Sequence, residues 1–195
     1  MREMGPATAD EMVLSFLRAE IDSPVWGPHY MAVLNHMGVD RFSLIDNAEI
    51  DLSDANANRT RANALGLIRG YGRDMLLFRG FPTDTTWRRV QLDPSEFQVL
   101  KYINCPPFPQ LTDDTRSIEI GARNYRRDEG LAPRVDDVVR MIKSGILTPE
   151  LILVEDTDRL VVLEGNTRAT AYVKAGTSFS ALVGSSPTIR QWAFI

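Results

Sequence analysis

The sequence predicts an α+β protein, and three observations predict it. Two strand-sized apolar runs, Leu151–Val154 and Leu160–Leu163, flank turn-forming residues at Asp156–Arg159, which reads as an antiparallel hairpin. A helix-forming segment follows the second run at once, so the chain changes from strand to helix at Gly165. Before residue 104 apolar residues recur mostly at helical spacing, which makes residues 1–104 a mainly helical N-terminal extension. A Pro-rich connector at 105–116 joins it to a core at 117–195, and the two parts are expected to pack as one unit.

The elements follow in order. Thr8 and Glu11 have the spacing of a capping box, and Val13, Phe16, Leu17 and Ile21 share one helical face, so a helix is predicted over 9–21. Tyr30, Val33, Leu34 and Met37 mark a second helix closed by Gly38. Phe42–Ile45 reads as a short strand. A third helix is predicted over 54–69, with Ala62, Leu65 and Ile68 inward and Arg59, Arg61 and Arg69 largely outward. Met75–Phe78 reads as a buried strand ended by Gly80 and Pro82. Asp93, Pro94 and Glu96 again carry helix-start chemistry, with Phe97 and Leu100 as the buried face.

Cys105–Asp114 interrupts regular structure, because its prolines lack backbone donors and favour an extended path. Ser117–Tyr125 is ambiguous between strand and helix. Val135, Val138, Val139 and Ile142 give a helix stopped by Gly145. Phe179–Val183 offers a further strand, and the end at Trp192–Ile195 is apolar enough to dock.

Composition narrows the function classes. A formal net charge of −4 argues against broad nonspecific affinity for DNA or an anionic membrane, which rests on clustered positive charge. Nucleic acid is therefore an admissible partner but not the favoured one. No apolar run approaches the ~20 residues of a membrane span, and the start carries no secretory pattern. Cys105 is the only cysteine, so neither an intramolecular disulfide nor a Cys-rich zinc site is available, and a reducing cytoplasm is the expected compartment. Lysine occurs only at Lys101, Lys143 and Lys174, which leaves positive charge mostly to arginine, the better residue for forked contacts to phosphate.

The strand-to-helix junction is the candidate site. The first N–H groups of a helix have no partner within it, and with the positive end of the helix dipole they favour an anion. Gly165 permits close backbone approach, Thr167 offers a hydroxyl, and Asn166 and Thr167 also suit plain helix capping. Arg168 lies in the first turn, where it either holds a phosphate or pairs with Glu164. Glu164 in turn can bind Mg²⁺ through oxygen, act as a base, or pair with arginine. His29 and His36 make neither a closed metal site nor a triad.

The order of signals from Arg126 to Val183 resembles the ParB/sulfiredoxin-like superfamily. A helix ending near Gly145 precedes a strand led by Pro149, a second strand, the Gly165-x-x-Arg168-x-x-Ala171 turn and helix, and a strand after Gly176. The resemblance implies a small mixed sheet with packed helices. It also implies a ligand that is a nucleotide or another phosphorylated small molecule, with Mg²⁺ accompanying a nucleoside phosphate, and use of the basic pair Arg126 and Arg127 in contacting it. NTPase or small-molecule kinase chemistry is the implied activity, with Glu164 and Arg168 as its catalytic residues and Glu164 as the metal ligand. Sulfiredoxins place a reactive cysteine in this turn; the segment here is Gly165-Asn166-Thr167-Arg168, which holds no thiol and disfavours that activity. The alternative is a non-enzymatic nucleic-acid or protein-interaction module on the same scaffold, supported by the arginine cluster.

Overall fold

Thr8 starts the first helix as its spacing requires: its hydroxyl accepts from the Glu11 N–H, and the Glu11 carboxylate accepts from the Thr8 N–H. The computed structural model describes all 195 residues. Strand β1 (Arg2–Ala7) leads into helices α1 (Ala9–Glu20), α2 (Gly27–His36) and α3 (Ala55–Arg69). Strands β2 (Thr86–Leu92) and β3 (Leu100–Lys101) follow, then helices α4 (Phe108–Leu111), α5 (Ile118–Asn124) and α6 (Leu131–Lys143). The chain closes with β4 (Leu151–Asp156), β5 (Arg159–Glu164), α7 (Asn166–Ala175) and β6 (Phe179–Ser185).

The six strands form one mixed sheet in the order β1-β2-β6-β4-β5-β3. β4 pairs antiparallel with β5 as the expected hairpin, while β6 lies parallel to β4 and β3 parallel to β5. Both faces of the central strands are covered, so they read as continuous apolar runs and not as alternating ones. Ile152, Val154, Val161, Leu163 and Leu182 face the helical layer built by α1, α2 and α3. Leu151, Leu153, Leu160, Val162 and Val183 pack on the other side with Ile118 of α5 and Ala169 of α7. α6 lies outside α7, with Leu131 and Val135 buried against Ala171.

Several expectations are corrected. Phe42–Asp46 is a π-helical turn, not a strand, because Arg18 and Arg61 hold its carbonyls: Arg18 donates to Ile45 O and Arg61 to Leu44 O, each at 2.8 Å. Arg61 is consequently buried at 2% exposure, not outward. Leu76–Phe78 is a 3₁₀ turn in place of a strand, and the predicted helix after Asp93 is a 3₁₀ turn, Pro94–Val99, ending directly in β3. Strands β1 and β2 were not expected. β1 contains Pro6 but is an edge strand, where a missing donor is tolerated. Arg88 and Arg89 mask the pattern of β2 and are accommodated by Glu155, Glu150 and Glu11. The ambiguous stretch after Ser117 is helix α5. The Pro-rich stretch is not extended throughout, since Phe108–Leu111 forms the short helix α4 and the Phe108 ring stacks on Tyr102 with centroids 4.4 Å apart.

The C-terminal end docks as its apolar character predicts. Trp192 is buried at 1% exposure, and its indole N–H donates to Leu77 O at 2.7 Å.

Candidate functional site

β5 delivers Glu164 to the edge of the buried region, and Gly165 turns the chain there with φ +98°. A side chain at Gly165 would meet Leu151 Cδ2 at 2.4 Å and Arg168 Nη2 at 3.0 Å, so the position requires glycine for both conformation and space. Helix α7 then starts at Asn166 with no side-chain cap, and Gly176, also left-handed, ends it.

Arg168 is buried at 9% exposure and hydrogen-bonded across the turn. Its Nη2 contacts Glu164 Oε1 at 3.1 Å, and its Nη1 donates to the carbonyls of Pro149 and Glu150. One guanidinium thus ties the start of α7 to the end of β5 and the entrance of β4. Glu164 Oε2 makes no hydrogen bond within the protein. The Asn166 side chain leaves the helix end and accepts from Ile103 N at 3.4 Å. Thr167 is half-buried and uses its hydroxyl in no hydrogen bond. Behind it, Tyr102 and Thr170 share a hydrogen bond at 2.7 Å; burial raises the Tyr102 phenol to about 12 and the Thr170 bond opposes that rise.

Glu164, Gly165 and Arg168 are therefore joined in one constellation. Arg126 and Arg127 are not bonded to it. They sit in the 3₁₀ turn Tyr125–Arg127 between α5 and α6, where Arg126 lies over the Tyr125 ring and pairs with Asp136 at 3.5 Å. Arg127 is exposed and forms no ion pair.

A buried charged group in the helical layer was not legible as part of a site. Glu20 at the end of α1 is 3% exposed and accepts from the Tyr30 hydroxyl at 2.8 Å. Arg69 Nε lies 3.4 Å from Glu20 Oε1 without completing a hydrogen bond, and its guanidinium sits 4.1 Å from the Trp26 ring centroid. Arg69 was expected outward and is instead drawn in by this carboxylate. Burial, and secondarily the Glu164 carboxylate, push the Glu20 carboxyl up to about 8, against Arg69, Tyr30 and Arg168. Burial first, then Glu20, also raises the Tyr30 phenol. The charges of Glu164 and Arg168 at the turn thus reach the Glu20 carboxyl, while Glu20 pairs directly with Arg69. A signal existed in the sequence, because Glu20 falls on the same helical stripe as Val13, Phe16 and Leu17.

No group of three or more His, Cys, Asp or Glu side chains is arranged to hold a metal ion. A cleft of about 810 Å³ lies elsewhere, between the loop after α3 and strand β2, and includes no residue of the turn. No helix is long and apolar enough to cross a membrane. Comparison with protein-family models, with curated proteins and with solved structures finds no match to this chain.

Proposed function

We propose that the Gly165 turn binds the phosphate of a nucleotide or another phosphorylated small molecule, on a ParB/sulfiredoxin-like core. The observation that carries the reading is an uncapped helix start behind a left-handed glycine, with the Arg168 guanidinium against that glycine. Uncapped N–H groups, the helix dipole and a guanidinium all favour the same negative group. Support for the core comes from the order α6, β4, β5, α7, β6, punctuated by left-handed Gly145, Gly165 and Gly176.

If the bound phosphate reacts, phosphoryl transfer or hydrolysis suits these groups better than redox chemistry. Arg168 and the N–H groups of α7 stabilise phosphate charge. Glu164 Oε2, free of protein partners, is available to take a proton or to join the phosphate oxygens in holding Mg²⁺. Mg²⁺ held there would supply charge neutralisation.

The test is a thermal-shift screen of the full chain with ATP, CTP, GTP and their diphosphates, with and without Mg²⁺. A ligand at a hundred times its Kd stabilises by about 2.7 kcal/mol, and the Gly165 and Thr167 amide signals should move with it. A folded protein that gains no stability at millimolar ligand overturns the proposal.

A further inference from the structure

The cleft of about 810 Å³ between the loop after α3 and strand β2 is of small-molecule size. Its walls include the rings of Tyr71, Phe81 and Trp87, with Phe81 and Trp87 stacked at an interplanar angle of 15° and a centroid separation of 6.4 Å. Asp74 and Asp84 also line it, and neither forms an ion pair. Each has one oxygen held: Asp74 Oδ1 accepts from Gly80 N at 2.6 Å, and Asp84 Oδ1 accepts from the Ser186 hydroxyl at 2.7 Å. Their Oδ2 atoms have no hydrogen-bond partner in the protein. The one lining cation, Arg73, donates to Asn63 Oδ1 at 2.7 Å and keeps its charge, so the lining carries two carboxylates against one guanidinium. The cleft therefore combines aromatic side chains with a net negative lining.

The rim is also conformationally strained. Asp74 and Leu76 have φ of +50° and +51°, between the left-handed glycines Gly72 and Gly80, which adopt that region without cost. A left-handed leucine is unfavourable, and such residues persist only where their surroundings over-determine them. Here the loop is pinned by Trp192 to Leu77 O, by Ala193 N to Arg79 O, and by the approach of Gln191 O to within 2.1 Å of where a Gly80 Cβ would lie. The strain is thus held in a segment that shapes a cavity wall.

We propose that this cleft binds a small organic cation bearing an apolar or aromatic body, its ammonium group held by Asp74 and Asp84 and its body against Tyr71, Phe81 and Trp87. Aromatic faces attract cations through the negative face of the ring, and the attraction grows as water is excluded. Anions are rejected by the same carboxylates, and neutral analogues gain only the apolar contact. The site shares no residue with the phosphate turn and stands or falls separately from it.

The experiment compares three probes of similar shape on the full chain by calorimetry: phenethylammonium, phenethyl alcohol and hydrocinnamate. Proton–nitrogen spectra follow the Trp87 indole signal alongside. The expected result is ammonium binding about tenfold tighter than the alcohol, with the carboxylate weakest and the Trp87 signal moving on saturation. The Asp74→Asn, Asp84→Asn double variant keeps both amide oxygens as acceptors and should lower ammonium affinity to that of the alcohol. If that variant does not fold, Asp84→Asn alone should lower it several-fold. Equal affinity for ammonium and alcohol overturns the proposal. So does absence of saturable ammonium binding to the folded protein, an undiminished affinity in the folded variant, or binding that leaves Trp87 unmoved.

Discussion

Glu20 carries a carboxyl into a region with almost no water, and the consequence is a pH-dependent stability. Its folded-state affinity for a proton, raised to about 8 mainly by burial, exceeds that of the unfolded chain. The folded state therefore holds more protons than the unfolded state between the ordinary glutamate range and about pH 8. The stabilisation is fully present below that range and is lost as pH rises through about 8. Each tenfold difference in proton affinity is worth ~1.4 kcal/mol, so the loss should be on the order of a few kcal/mol. Denaturant titrations from about pH 5 to about pH 9 should show this decline in the parent and a largely flat profile in Glu20→Gln, which retains an acceptor for Tyr30. An equally steep decline in the variant would assign the dependence to another group. Arg168, by contrast, was legible by position, while its commitment to Glu164 and two carbonyls was one of two roles left open by the sequence.

At the scale of elements, ends were more legible than interiors. Thr8 and Glu11 close the start of α1 as their spacing dictates, and Asp54 caps α3 by accepting from Asn56 N and Ala57 N. Caps are local chemistry within four residues, so they survive whatever the rest of the chain does. Thr8→Ala should destabilise the protein by about 1 kcal/mol in chemical denaturation. Thr8→Ser should restore most of that loss; equal destabilisation by both would remove the cap as the cause. Strand β2 shows the opposite case. Its two arginines look like surface residues until Arg89 is seen bridging Glu150 at 2.9 Å and Glu11 at 3.1 Å, partners 61 and 78 positions away. Nothing within β2 itself announces those partners.

At the scale of the molecule, the sheet interleaves distant segments. β2 lies between β1 and β6, and β3 pairs with β5, so the hairpin β4/β5 and β6 have neighbours drawn from residues before 102. A fragment of residues 117–195 would expose β5 and β6 as unpaired edges and uncover Ile152, Val154, Val161 and Leu163, which otherwise face the N-terminal helices. Such a fragment should give no cooperative denaturation transition by near-ultraviolet circular dichroism, while the full chain gives a single one. A fragment that melts cooperatively would show that the second half holds its own core.

The sequence by itself determined the α+β class, the capping box of α1, the β4/β5 hairpin and the strand-to-helix turn at Gly165. Each of these rests on residues that are close in the chain, where periodicity and backbone chemistry act directly. Tertiary structure alone decided that Arg61 and Arg69 turn inward, that Arg2–Ala7 and Thr86–Leu92 are strands, and that Glu20 is buried against Tyr30 and Arg69. The physical reason is common to all three. A buried charge or an edge strand is stabilised by partners supplied from elsewhere in the fold, and local propensity carries no record of those partners.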